Sequence, residues 1–121
     1  MKYVALIYNN PGAFEAMPQH ERDQLMSEAD AYLKEFTASG ELLNGGFALA
    51  DAATGRTVRV RGGQSTVTDG PFAEAKEQLA GFYVLDTESI ERAAEIVAHD
   101  PAARFWAVEV RPIMDEAAAE M

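Results

Sequence analysis

The stretch from Thr68 to Glu77 constrains the path of this chain more than any other. Asp69 has a side chain suited to bonding its own downstream backbone, and Gly70 tolerates a positive φ. Pro71 holds φ at about −65° and offers no N–H, so the chain must turn sharply here. Phe72 follows as an apolar plug for the core, and Glu74, Lys76 and Glu77 place charge at the mouth of the apolar run Leu79 to Leu85. Before the turn, Thr57–Arg61 and Ser65–Thr68 alternate at period two around Gly62-Gly63-Gln64, which predicts a hairpin whose arginines line one exposed face. A turn of this kind between a hairpin and an apolar strand demands a sheet.

The remaining elements follow from periodicity. Tyr3 to Tyr8 is apolar without interruption and is stopped by Asn9-Asn10-Pro11-Gly12, predicting a central strand buried on both faces. Pro18 suits a first helical turn, and Leu25, Ala29, Tyr32 or Leu33, and Phe36 recur at helical spacing until Gly40. Glu41 to Leu49 reads as a second strand, with Gly45-Gly46 marking a bulge or a close approach of backbone. Leu79–Leu85 is a third main strand with Gly81 inside it. Asp86 or Thr87 caps a second helix with the stripe Ile90, Ala93, Ala94, Val97, which Asp100-Pro101 ends. Phe105 to Ile113 forms the last strand, and Met114 to Met121 is an acidic tail that frays or extends as a short helix.

This order predicts an α+β, ferredoxin-like βαββαβ domain with an antiparallel sheet and an inserted β-hairpin, both helices covering one face. The first and third main strands would then leave an apolar face in water, so a twofold-related copy is expected to cover it, giving a homodimer. One domain suits 121 residues, of which 48% are apolar. Twenty acidic against ten basic residues leave a net charge of −10, which opposes binding to nucleic acid or to an anionic membrane. No cysteine is present, which excludes thiolate catalysis and suits a reducing cytoplasm. No signal peptide or membrane span is expected.

The run Asp69-Gly70-Pro71-Phe72-x-Glu74-x-Lys76-Glu77, followed by Gly81-Phe82, resembles the signature of the YCII-related, or DGPF, family, and Glu109-x-Arg111-Pro112-Ile113 resembles its C-terminal motif. The resemblance covers a domain at 1–113, leaving the tail at 114–121. It implies a dimeric α-β barrel, with two sheets packed face to face around ligand-sized cavities. It also implies a link to extracytoplasmic-function sigma factors, beside which such domains act as accessory or sensor modules. The family has no agreed reaction, so enzyme, sensor and structural dimer stay open as alternatives. Some members carry a helix-1 histidine followed by an aspartate in a proposed active site; here His20 stands too early and the later positions are Ala29 and Asp30.

Strand alternation puts Phe105, Ala107, Glu109, Arg111 and Ile113 on one face, so Glu109 and Arg111 point together into the sheet-to-sheet cavity, roughly 7 Å apart. They form a candidate site for a small anionic or polar ligand, with Lys76 and Asp69 as further polar groups. The structural alternative pairs Arg111 with a carboxylate such as Glu77. Glu77 is the candidate general acid or base, since desolvation at the mouth of a strand raises a carboxylate's pKa. His20, in the first turn of a helix, is a weaker candidate for a neutral base, against the alternative of plain solvation. No metal-ligand spacing and no nucleotide-binding loop occurs, so neither metal nor cofactor is expected.

Overall fold

A computed structural model describes residues 1–43 and 45–115 of the chain; the tail beyond residue 115 lies outside the described residues. In order the elements are β1 (Lys2–Asn9), α1 (Ala13–Ala16), α2 (Gln19–Ala38), β2 (Phe47–Ala48), a 3₁₀ turn (Ala52–Thr54), β3 (Arg56–Arg61), β4 (Gln64–Asp69), β5 (Gln78–Asp86), α3 (Ile90–Val97), α4 (Pro101–Phe105) and β6 (Ala107–Pro112). The main sheet runs β2-β5-β1-β6 with antiparallel neighbours, and β3–β4 stands apart as a two-stranded ribbon. This is the α+β, ferredoxin-like plan with an inserted hairpin.

Burial follows the pleat. Tyr3 and Ala5 of β1 sit opposite Leu85 and Tyr83 of β5 and pack under Tyr32 and Phe36 of α2 and Ala93, Ile96 and Val97 of α3. Their neighbours Val4, Leu6, Phe82 and Val84 point the other way and are only half-buried, because among the described residues no element covers that face. This is the apolar face that a single subunit was expected to leave in water.

The second strand is far shorter than the predicted 41–49. Leu42 makes a single bridge to Leu85, residues 43, 45 and 46 lie outside the ladder, and pairing resumes only at Phe47–Ala48. Gly46, at φ 77°, swings the chain back, and a Cβ on Gly81 would lie 2.7 Å from the Phe47 carbonyl oxygen. Backbone therefore rests directly on Gly81, which is the close approach an interior strand glycine signals.

Two caps differ from expectation. Ser89 caps α3 by accepting from Arg92 N–H at 3.0 Å, because Asp86 is engaged by the N-terminal amine and Thr87 donates to Glu41. Arg92 also donates twice to Glu41, at 3.0 Å each, holding that carboxyl down at about 2 and tying the end of α2 to α3. Asp100-Pro101 ends α3 as predicted but also opens α4, so Phe105 and Trp106 close a helix instead of starting a strand. Gly70 carries the signature turn at φ 87° as expected. Phe72 does not plug the core; it is 74% exposed, with the Arg59 guanidinium 4.7 Å over its ring, because the turn runs along the root of the hairpin. Among the described residues no helix is long and apolar enough to cross a membrane.

Candidate functional site

Between the helix side of the sheet and α2 lies a cleft of about 480 Å³, within the range of small-molecule pockets. Ile7 of β1, Leu25, Ala29 and Leu33 of α2, Phe14 of α1 and Trp106 supply an apolar wall, and the segment 45–52 forms its outer side. The segment runs along the edge of the sheet, where Phe47 and Ala48 pair with Phe82 and Gly81 and Leu49 N–H donates to the Ala80 carbonyl at 2.8 Å. Asp51 fixes its rim by accepting from Gly12 N–H at 3.1 Å and Ala53 N–H at 2.9 Å, joining the two loops that border the mouth.

At the inner end the cleft meets a buried polar chain. The Tyr32 and Tyr83 hydroxyls lie 2.9 Å apart, Tyr83 donates to Asp100 Oδ2 at 2.8 Å, and Ala102 N–H donates to Asp100 Oδ1 at 2.8 Å. The architecture is local in origin: Tyr32 lies on the core stripe of α2, Tyr83 on the helix face of β5, and Asp100 is the N-cap of α4. Asp100 is 5% exposed, and burial pushes its carboxyl up, against the opposing hydrogen bonds from Ala102 and Tyr83. Burial also raises both phenols, Tyr83 further through the Asp100 charge, so both stay protonated at neutral pH.

Such a chain has two hydrogen-bond polarities. With Asp100 ionised, Tyr83 donates to it, Tyr32 donates to Tyr83, and Tyr32 has a lone pair left for a donor in the cleft. With Asp100 protonated the direction can reverse, and Tyr32 becomes a donor. Among the described residues no group of three His, Cys, Asp or Glu side chains converges to hold a metal.

The residues singled out in the sequence lie elsewhere. Glu109 and Arg111 stand together on the open sheet face, with Arg111 Nη2 and Nε donating to Glu109 Oε2 at 2.7 and 3.1 Å. That pairing lowers the Glu109 carboxyl and raises the Arg111 guanidinium. Glu77 and Lys76 are exposed in the irregular run before β5. Gln78 faces Asn9 whereas Arg111 faces Val4, so along β1 the Glu77 end and Arg111 are five residues, about 17 Å, apart. Asp69 ends β4, bonded to Arg56 at 3.1 Å, and His20 is exposed on the first turn of α2. Among the described residues, none of these six lines the cleft.

The tyrosine–aspartate chain was not singled out from the sequence. A signal existed: a tyrosine at a core-facing position on both a helix stripe and an apolar strand carries a hydroxyl that must find a partner when buried.

Sheet order and cleft together define an α+β protein of ferredoxin-like topology with a ligand-sized pocket between sheet and helix. The model of the YCII-related domain matches residues 1–117, and the chain belongs to that family. An uncharacterised protein of Rhizobium meliloti is 34% identical over 118 residues, covering 93% of this chain and 92% of that one. Among solved structures, 5-chloro-2-hydroxyhydroquinone dehydrochlorinase (TftG) from Burkholderia phenoliruptrix, in complex with 2,5-dihydroxybenzoquinone, superposes with a TM-score of 0.54 at 18% identity, covering 97% of each chain. At that identity the likeness concerns the fold.

Proposed function

We propose that this protein is a homodimer that binds a small, mostly apolar cyclic molecule carrying a hydroxyl or carbonyl group in the cleft beside Tyr32. The observation that carries the reading is a polar chain, Tyr32–Tyr83–Asp100, at the inner end of a pocket whose other walls are largely apolar. An apolar pocket with a few convergent polar groups suits such a ligand, the walls supplying affinity and the phenol hydroxyls orientation. The neighbour's bound 2,5-dihydroxybenzoquinone is likewise a small ring bearing hydroxyl and carbonyl oxygens, and supports the choice of a cyclic, oxygen-substituted ligand. In an acid–base role the chain would pass a proton between the ligand oxygen and Asp100 through the two phenols, with no phenolate formed at rest. The dimer would form through the open sheet face, and the cysteine-free composition suits a cytoplasmic location.

A second reading rests on a separate observation, the Glu109–Arg111 pair on the open face. There a polar or anionic ligand would sit between two packed sheets, with Lys76 and Asp69 as further contacts and Glu77 or His20 as acid–base groups. A third, an accessory module beside a sigma factor, would use the outer surface and need neither site.

Trp106 is the single tryptophan and lines the cleft, so its fluorescence reports occupancy. Titration with 2,5-dihydroxybenzoquinone and a set of hydroxylated benzenes, checked by calorimetry, is expected to show saturable binding that Tyr32→Phe and Tyr83→Phe each weaken about tenfold, the size of one lost hydrogen bond. Binding lost in Glu109→Gln or Arg111→Met but retained in the tyrosine variants would transfer the site to the open face. No binding by any of the set would remove the cleft reading.

A further inference from the structure

The β3–β4 ribbon stands alone. It has no ladder bonds to the main sheet, and every residue from Arg56 to Asp69 except Thr57 is exposed. Its root is tied down by Gly70 N–H to Gly55 O at 2.8 Å, Thr57 Oγ1 to Gly70 O at 2.9 Å and the Arg56–Asp69 pair at 3.1 Å. Beyond that root the contact from the described residues is the Arg59 guanidinium over the Phe72 ring at 4.7 Å, and a lone two-stranded ribbon is at best marginally stable in water.

Its two faces differ. Val58 lies directly opposite Val67, and Val60 follows on the same face, so three valines 61%, 61% and 58% exposed form one continuous apolar strip. Arg59 and Arg61 occupy the other face among Thr57, Gln64, Thr66 and Thr68. Arg56, Arg59 and Arg61 against Asp69 give the ribbon a charge of +2, which leaves −12 on the rest of a chain whose total is −10. A basic ribbon with an apolar strip is thus attached to a strongly acidic body. The tight loop suits a projecting arm: Gly62 and Gly63, at φ 57° and 79°, form a two-residue turn that keeps the strands in register to the tip.

We infer that the ribbon is an intersubunit arm: its valine strip docks on the exposed apolar sheet face of a second copy of this chain, around Phe47 and Phe82, and its arginines make an acidic partner the favoured one. Net charge favours this occupant, since the ribbon's +2 complements the −12 carried by the rest of the chain, while the strip itself meets an apolar face. Phe47 is 58% exposed and packs against Phe82 with ring centres 5.5 Å apart and ring planes tilted by 38°, giving the strip an aromatic patch at the sheet edge. The inference rests on the homodimer reading above and adds a contact to it, which the test separates.

Sedimentation over a range of concentrations first measures the dimer dissociation constant of the unaltered protein. Val58→Thr/Val60→Thr/Val67→Thr keeps β-branched side chains, and hence the ribbon, while removing the apolar strip. It is expected to weaken the dimer at least tenfold, and Arg59→Glu/Arg61→Glu is expected to weaken it further at low salt than at high salt. Because the chain has no cysteine, Val60→Cys carries a photo-crosslinker at one known place. Mixing isotopically light and heavy chains then distinguishes crosslinks between copies from those within one. Crosslinks between copies that map near Phe47 or Phe82 support the arm. Dimers with an unchanged dissociation constant, or crosslinks only within one chain, overturn the arm and leave the homodimer standing. A monomeric unaltered protein overturns both.

Discussion

The two faces of the main sheet are made by the same strands, yet they end in different states. On the helix side, Ala5, Tyr83 and Leu85 are packed by α2 and α3; on the open side, Val4, Leu6, Phe82 and Val84 have no covering element among the described residues. The polar residues differ in the same way. The helix side buries a neutral-leaning chain of Tyr32, Tyr83 and Asp100, while the open side displays the ionised pair Glu109 and Arg111. A face completed within one chain supports a finished cavity, whereas an open face keeps charges that must be satisfied by one another and by water.

Leu85→Ala should break the packed face outright, costing about 2–5 kcal/mol, because Leu85 is fully buried and the cavity cannot refill. Val84→Ala, one residue along, should cost the isolated subunit under about 1.5 kcal/mol and act chiefly on the dimer. Urea unfolding below and above the dimer dissociation constant separates the two, and equal losses would mean that the faces are equivalently packed.

Gly81→Val tests how the cleft wall is held. The added side chain would meet the Phe47 carbonyl, which should cost about 1–3 kcal/mol and lift β2 off the sheet, weakening ligand binding as well. Gly70→Val, with open space around it but φ 87°, should cost a similar 1–3 kcal/mol through backbone strain alone and leave the cleft intact. An unchanged melting temperature in either would show that its constraint is absent.

Arg111→Met sharpens the contrast on the open face. In a subunit kept monomeric by dilution its melting temperature should match the unaltered protein, since the pair is solvated there. In the dimer it should raise the dissociation constant more than tenfold, because Glu109 would be covered without its partner. An equal effect in both states would place the pair outside the interface.

The smallest expected effect is on pH dependence, and its sign differs between two carboxyls. Asp100 is shifted upward by burial, so its contribution to stability is complete below the ordinary aspartate range and is lost as pH rises through the shifted value. Asp100→Asn, still able to cap α4, should flatten that loss. Glu41 is shifted down to about 2, so its contribution is present above the ordinary glutamate range and disappears as pH falls toward 2; Glu41→Gln should flatten the acid limb instead. Thermal melts between pH 2 and 8 read both slopes, and parallel curves for the two variants would contradict the assignment.

Much of this was legible beforehand for physical reasons. Glycine and proline punctuation at 9–12, 40, 62–63 and 69–71 marks element ends because backbone φ is a property of the residue itself, and Gly40, Gly62, Gly63 and Gly70 all adopt the positive φ this requires. Alternation along 107–111 put Glu109 and Arg111 on one face because the strand period is fixed at two. Helix capping was less legible: Asp86, Thr87 and Ser89 are all competent, and only the tertiary partners of the first two left the role to Ser89.

The sequence alone therefore determined the order of the main strands and of the two longer helices, the antiparallel ferredoxin-like plan, the hairpin and the shared face of Glu109 and Arg111, since each depends on interactions a few residues long or on a fixed strand period. Tertiary structure decided the rest. The cleft takes its outer wall from the segment 45–52, which the two-residue β2 and the backbone lying on Gly81 hold at the edge of the sheet. Its polar end joins Tyr32 to Tyr83 across 51 positions and Tyr83 to Asp100 across 17. No local period links residues so far apart; their hydroxyls and carboxylate meet because a buried polar group must be satisfied by whatever the packed helices and strands bring beside it.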